Sequence, residues 1–143
     1  MCQRVWLNMK SELEILKIYA ETCEFKKRIN YSQATKYKHD LTFDIHLLIN
    51  KDDEHQGIIR LGCEVNNENV TEAPFVLTLV MAGEFYAHDS PFEQYVVNAA
   101  SLLFPYLRTY ISTVTAMSGV EPLTIPALNM YELLASMNND ISE

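Results

Sequence analysis

The chain has 143 residues, and its 11 Lys and Arg residues against 19 Asp and Glu residues give a formal net charge of −8. One domain typically takes about 150 residues, so we predict a single domain over residues 1–143. Nucleic-acid-binding surfaces draw on clustered Lys and Arg, and the acidic balance therefore argues against a nucleic-acid partner. The 48% hydrophobic content is typical of a folded protein and excludes a disordered acidic chain.

No targeting or membrane segment is expected. The first ten residues lack the apolar core of a signal peptide, and no run approaches the ~18 apolar residues of a membrane span. The three cysteines, Cys2, Cys23 and Cys63, are far apart and form no Cys-x-x-Cys pair, so we expect free thiols. These features predict a soluble, cytoplasmic protein without membrane insertion.

The segment at residues 13–25 fits two structures. Ser11 with Glu14 could begin a helix, and Leu13, Leu16 and Tyr19 suit one. An alternating pattern and several β-favouring residues fit a strand equally well. The residues alone leave both structures open.

Three strands are predicted in the middle of the chain. Apolar residues occupy the odd positions of 41–49, with most even positions polar, which predicts a half-buried strand. A polar turn ends at Gly57, and alternation resumes over 59–65, so these two strands form a hairpin. Residues 75–81 are apolar on both faces apart from Thr78, which predicts a central strand.

The second half of the chain changes to helical spacing. Ser90, Pro91 and Glu93 form a capping-box pattern that predicts a helix start, and the periodicity runs to about Ser118. Pro105 lies inside this helix, where we expect a kink or a restart.

The remaining residues predict an extended connection and a short last helix. Pro122 and Pro126 favour extended backbone, and Asn129 with Glu132 predicts the cap of the helix that follows. Strands followed by helices indicate the α+β class.

No constellation of residues predicts catalysis or metal binding. The four histidines show no metal-ligand spacing, and the sequence contains no Gly-x-Gly-x-x-Gly or Walker motif. His88, Asp89 and Ser90 are the three residue types of a catalytic triad, but triads are assembled in space rather than side by side. We therefore predict a protein that is not an enzyme and has no metal and no cofactor.

Several motifs match a known pattern. Residues 103–108 read Leu-Phe-Pro-Tyr-Leu-Arg, Gly119 follows about ten residues later, and residues 122–130 read Pro-Leu-Thr-Ile-Pro-Ala-Leu-Asn-Met. This series resembles the SecB family of export chaperones, whose long helix carries Leu-Phe-Pro-Tyr-Ala-Arg before a Gly-containing turn and a Pro-x-Leu-x-Leu-x-Pro-x-Asn-Phe stretch. Residues 75–85, ending in Ala-Gly-Glu-Phe, are similar to the family's last strand. Residues 18–25 are similar to its first, which implies a strand for the ambiguous segment.

The resemblance implies a fold, an assembly and an activity. The fold is a four-stranded antiparallel sheet with a crossover loop and both helices on one face, and the assembly is a homotetramer, a dimer of dimers packed through the long helices. The activity is ATP-independent holding of unfolded polypeptides in hydrophobic grooves. The groove residues carried over by position are Tyr37, Leu128, Met130 and Leu134, with Met130 in place of the family's Phe. The residues predicted for the oligomer interface form a stripe spaced by three and four, namely Phe104, Leu107, Ile111 and Val114.

The chain departs from the family at the surface that docks the translocation ATPase SecA. At the matching positions, where the family has acids, this chain has Thr22, Lys26 and Thr78. Because charge complementarity governs such docking, we expect weakened binding to SecA. A SecB-like chaperone that guards an antitoxin in a toxin–antitoxin system is the alternative to export. A non-enzymatic oligomeric adaptor and a small α+β enzyme are the competing classes.

Overall fold

The computed structural model describes residues 12–28, 37–69 and 72–141, with side chains described up to residue 136. The strands precede the helices, as the sequence predicts. The elements are β1 (Leu13–Lys27), β2 (Leu41–Ile49), β3 (Gln56–Val65), β4 (Phe75–Ala87), a 3-10 turn (Phe92–Tyr95), α1 (Val96–Met117) and α2 (Met130–Ile141). The predicted α+β class is confirmed.

The four strands form one antiparallel sheet in the order β1-β4-β3-β2. Consecutive strands β2, β3 and β4 are neighbours, whereas the chain crosses from β1 at one edge to β2 at the other. β4 is central, as its apolar residues on both faces predict. Its odd-numbered residues face the helices, and its even-numbered residues face outward.

The ambiguous first segment is a strand, as the resemblance implies. β1 pairs with β4 along its whole length, with register shifts between Ile15 and Lys17 and between Ala20 and Thr22. Each bulge adds one residue to β1. The inward-facing positions are therefore separated by steps of two and three, and this mixed spacing is why the sequence also fits a helix.

The start of the helical half differs from the prediction. Residues 92–95 form a 3-10 turn, α1 begins only at Val96, and neither element has a side-chain cap. The turn is held by the β2–β3 loop, because Phe92 N donates to the Glu54 carbonyl at 2.9 Å and the Ser90 carbonyl lies 2.9 Å from Nδ1 of His55. Long-range bonds thus replace the predicted capping box.

Helix α1 is one continuous helix of 22 residues that includes Pro105. A proline at this position withholds the N–H that would bond to the Ser101 carbonyl, and its ring crowds that carbonyl; both residues are exposed. Packing of the opposite side of the helix compensates for this loss. The predicted restart at Pro105 is wrong.

The connection between α1 and α2 runs back along α1 and is held there by side chains. Arg108 Nε donates to the Ile125 carbonyl at 2.8 Å, and Ser112 Oγ donates to the Leu123 carbonyl at 2.9 Å. Leu123 N in turn donates to Thr115 Oγ1 at 2.9 Å. Asn129 Oδ1 then accepts bonds from the first backbone N–H groups of α2 at 3.0 and 3.3 Å, which confirms the predicted cap.

Candidate polypeptide-binding site and helix surface

The predicted oligomer stripe lies inside the protein. Leu107 and Ile111 are 0% exposed, Phe104 is 6% exposed, and Val114 is half-buried. These side chains pack on the inner face of the sheet, so three of them leave no surface for a second chain. Their spacing by three and four is the signature of any helix that buries one side, and it cannot distinguish a core from an interface.

The exposed apolar residues of α1 lie elsewhere on the helix. Leu102, Tyr106 and Met117 are 41%, 50% and 83% exposed. An open groove of about 700 Å³ follows this side of α1 where it faces the first strand. The residues that line it are Ile18, Tyr19 and Ala20 of β1, Met81 of β4, and Pro105, Tyr106, Thr109, Tyr110 and Thr113 of α1. We call this the β1-side groove.

The other side of α1 faces β2. The Phe104 ring contacts the Phe43 ring of β2 edge to face at a centroid distance of 6.4 Å. Arg108 lies 5.9 Å from the centroid of the same Phe104 ring and binds the connection, so the connection covers this side of the helix. The inner-face residues Leu41, Phe43 and Leu47 of β2 remain only half-buried. We call this region the β2-side surface.

The predicted peptide-binding residues lie in two places, before β2 and around the start of α2. Tyr37 is half-buried just before β2, and the carboxylate of Glu121, near the start of the connection, acts electrostatically on the neighbouring His39. Leu128 and Leu134 are half-buried near the start of α2, beyond the point where the connection binds Arg108. The half-buried apolar residues of β2 are not among the predicted site residues, because alternation marks them simply as core.

Met130 differs from its expected role. It is 4% exposed and belongs to the hydrophobic core, where it anchors the first turn of α2. A side chain so covered can support a groove from beneath but offers little area to a polypeptide.

The three positions that lack the family's docking acids lie on the outer face of the sheet. Thr78 pairs with Glu24 of β1 on one side and with Glu64 of β3 on the other, so two carboxylates flank it. Thr22 and Lys26 lie on the same face of β1, two residues before and after Glu24. Strand pairing therefore places two carboxylates beside Thr78. A comparison with the family at single sequence positions does not reveal them.

The titratable groups show structural rather than catalytic environments. Burial raises the pKa of Cys63 to about 12, with the nearby Asp44 carboxylate adding to the effect. The hydrogen bond to Asp89, 2.5 Å long, raises the pKa of Tyr95 to about 12, and burial adds to it. His88 Nε2 lies 2.8 Å from Glu14, so the triad residue types at 88–90 have separate partners.

The described residues offer neither a metal site nor a membrane span. No group of three or more His, Cys, Asp or Glu side chains there is arranged to hold a metal ion. Within the same ranges, no helix is both long and apolar enough to span a membrane.

Similarity to individual proteins is low but consistent. An uncharacterized protein of Methanocaldococcus jannaschii, MJ0357, is 22% identical over 107 residues, which cover 71% of this chain and 69% of that protein. The protein-export protein SecB of Bartonella quintana is 30% identical over 98 residues, covering 63% of this chain and 61% of that protein. The match thus spans less than two thirds of the Bartonella protein.

A solved structure shows the same fold. The SecB-like chaperone Rv1957 of Mycobacterium tuberculosis, in complex with a ChAD peptide from the HigA1 antitoxin, superposes with a TM-score of 0.67 at 20% identity. The match covers 81% of this chain and 90% of that one. The family model described as preprotein translocase subunit SecB matches residues 8–140. The chain therefore belongs to the SecB family, a family of chaperones rather than enzymes.

Proposed function

We propose that the protein is an ATP-independent chaperone that holds unfolded or partly folded polypeptides on the β2-side surface. The observation that carries this proposal is the half-buried apolar ladder of Leu41, Phe43 and Leu47 on an edge strand. An extended client could bury its apolar side chains on this ladder, at about 25 cal/mol per Å². Backbone hydrogen bonds to the edge of β2 would add affinity without demanding a particular sequence.

The client groove would extend from the ladder toward the two ends of the connection. Tyr37 and Leu128 are half-buried and would contribute at opposite ends, with the half-buried Leu134 of α2 following Leu128. Leucine and aromatic side chains suit this role because many apolar sequences can pack against them. Met130 supports the groove from the core side.

We further propose that the β1-side groove is the surface through which copies of the chain associate, in a homotetramer. Its lining is mostly apolar, and Tyr106 is 50% exposed there in the single chain. The core stripe of α1, formed by Phe104, Leu107, Ile111 and Val114, packs on the sheet. The opposite side of the helix is therefore the side that a second copy can contact.

Two client classes remain as candidates for the cellular role. The relative in Bartonella is named for protein export, whereas the solved neighbour holds an antitoxin peptide. Glu24 and Glu64 beside Thr78 favour a basic partner on the outer face, as export through SecA would require, and Lys26 opposes it.

The test of chaperone activity is suppression of aggregation without nucleotide. A chemically unfolded, slow-folding protein is diluted into buffer with this protein, and light scattering is followed. We expect suppression at near-stoichiometric oligomer, weakened at least tenfold by Leu128→Ser or Leu47→Ser. The matched control is Leu48→Ser, which changes the next residue of β2 on the outer face and should retain suppression. A folded oligomer that suppresses nothing would favour the adaptor instead.

The client class is tested with two direct binding measurements. Titration of purified SecA and, separately, of an antitoxin peptide would distinguish export from antitoxin protection. Glu24→Gln together with Glu64→Gln should weaken SecA binding and leave peptide binding unchanged.

A further inference from the structure

The place where the chain enters β2 contains a buried amide with a fixed orientation. Asn66 is 2% exposed and has a φ of 60°, a left-handed conformation that asparagine tolerates. Its Oδ1 accepts a bond from Asp40 N at 3.0 Å, and its Nδ2 donates to the Phe75 carbonyl at 3.0 Å. A backbone N–H can only donate and a backbone carbonyl can only accept, so these two bonds define which end of the amide is nitrogen.

His39 completes the hydrogen bonds of this amide. Its Nδ1 lies 3.0 Å from Asn66 Nδ2. Because Nδ2 is a donor, Nδ1 must accept, and the imidazole is therefore neutral with its proton on Nε2. A protonated ring would direct an N–H group at another N–H group, so the bond would be lost.

The ring of His39 is also enclosed by aromatic side chains. Its centroid lies 4.9 Å from that of the fully buried Phe75 and 5.2 Å from that of Tyr37. Burial lowers the pKa of His39 from its ordinary value of 6.5, and the Glu121 carboxylate acts in the opposite direction.

Charged groups of both signs lie on the elements around the ring. The side chains are Asp40 on its own segment, Glu121 in the connection, Lys27 and Arg28 at the end of β1, and Glu64 and Glu68 around the end of β3. Arg28 links two of these elements, because its N donates to the Pro74 carbonyl at 2.8 Å and its Nη2 to the Glu68 carbonyl at 2.9 Å. Among these groups, the Glu121 carboxylate acts on His39 and favours its protonated form.

We propose that His39 and Asn66 form a pH-sensitive latch that holds residues 37–40 on the sheet, and that protonation of His39 releases them. Tyr37 lies on this segment and is a predicted client contact, so an effect on client holding rests on the proposed function. The latch itself does not.

The direction of the pH effect follows from the neutral ring in the closed state. Below pH 6.5, His39 binds a proton when the latch is open, whereas its ring stays neutral when the latch is closed. The equilibrium constant for opening should therefore rise as the pH falls, by up to about tenfold per pH unit. Above that pH both states are neutral, and the latch should not respond.

The latch is tested on the full chain by NMR without any client. The backbone N–H of Asp40 donates to Asn66, and the N–H of Asn66 donates to the Asp40 carbonyl at 2.8 Å. We expect the hydrogen-exchange protection factors of both amides to fall by up to about tenfold per pH unit below pH 6.5, while the Phe92 amide keeps its protection. The His39 ring signals should titrate with a midpoint below 6.5, and the Tyr37 ring signals should shift with the same midpoint.

Two variants separate the latch from general acid sensitivity. His39→Asn places an acceptor that does not titrate near the position of Nδ1, and it should abolish the pH response of the Asp40 amide. His46→Asn removes an exposed histidine, paired with Asp44 at 2.9 Å on the outer face, and should leave the response intact.

Two results would overturn the proposed latch. One is a titration midpoint of the His39 ring at or above pH 6.5. The other is a hydrogen-exchange protection factor of the Asp40 amide that does not change with pH in the unmodified chain. The second measurement decides the matter even if His39→Asn fails to fold. Because no client is present, these results do not depend on whether the protein is a chaperone.

Discussion

The two sides of helix α1 are built from different chemistry. On the β2 side, Arg108, Ser112 and Thr115 bind the backbone of the connection. On the β1 side, Tyr106, Tyr110 and their neighbours line an open groove with β1, and the hydrogen bond of Tyr110 goes to the side chain of Cys23 rather than to a backbone carbonyl. The N–H and C=O groups of a backbone segment need hydrogen-bond partners, so the polar side of α1 is the side that binds the connection. The apolar groove is suited instead to contact with another apolar surface.

Substitution of a residue beneath both sides should have the largest effect on stability. Leu107→Ala removes a side chain that is 0% exposed and should lower the free energy of unfolding by about 3 kcal/mol. Urea unfolding followed by circular dichroism measures it. Leu102→Ala, on an exposed residue of the same helix, should cost under about 1 kcal/mol; equal losses would contradict the assigned core stripe.

The polar side is tested by two threonines that lie two residues apart. Thr115→Val leaves the Leu123 N–H without its acceptor and should lower the free energy of unfolding by about 1 to 3 kcal/mol. Thr113→Val changes an exposed residue of the β1-side groove and should stay within about 0.5 kcal/mol. Urea unfolding of both variants gives the comparison. A similar loss in both would mean that the two sides do not differ as described.

The apolar side is tested by the assembly rather than by stability. If the proposed homotetramer forms through this groove, Tyr106→Ser should give a smaller species in sedimentation velocity, while the secondary structure of the chain is retained. Tyr131→Ser is the control, since it removes an exposed tyrosine from α2. An unchanged sedimentation coefficient for Tyr106→Ser would remove the β1-side groove as the interface.

The reactivity of the cysteine thiols should show whether a second copy of the chain covers the β1-side groove. In a Cys2→Ser background at pH 8, Cys63 should resist alkylation until the protein unfolds, because a pKa of about 12 leaves roughly a thousandfold less thiolate than an ordinary thiol. Cys23 is exposed on β1; partial burial raises its pKa, and a hydrogen bond with Tyr110 opposes this effect. It should react faster in Tyr106→Ser than in the parent, as mass spectrometry would show. Equal rates would place Cys23 outside the interface.

Much of the fold could be predicted from local patterns. The alternation at 41–49 and 59–65, and the two-sided apolar run that begins at Phe75, correspond to β2, β3 and β4. The Asn129 cap was predicted because it needs only its own helix start. The Ser90 cap failed, since that segment forms long-range bonds to the β2–β3 loop instead.

The burial of the candidate site residues was predictable only in part. Leu128, Leu134 and Tyr37 are half-buried and stay predicted client contacts, whereas Met130 is a core residue. The predicted oligomer stripe includes the most deeply buried residues of α1. A sequence shows that a residue is apolar and periodic, whereas exposure depends on which other elements cover it.

The sequence by itself determined the α+β class, the family and the identity of most strands and helices, because period, turn residues and motifs act locally. Only the tertiary structure decided which side of α1 is core, which side holds the connection and which side stays open. It also brought His39 to Asn66, and Glu24 and Glu64 to Thr78, from separate segments of the chain. Such pairings depend on strand order and register, and these are set by the burial of the whole sheet rather than by any single segment.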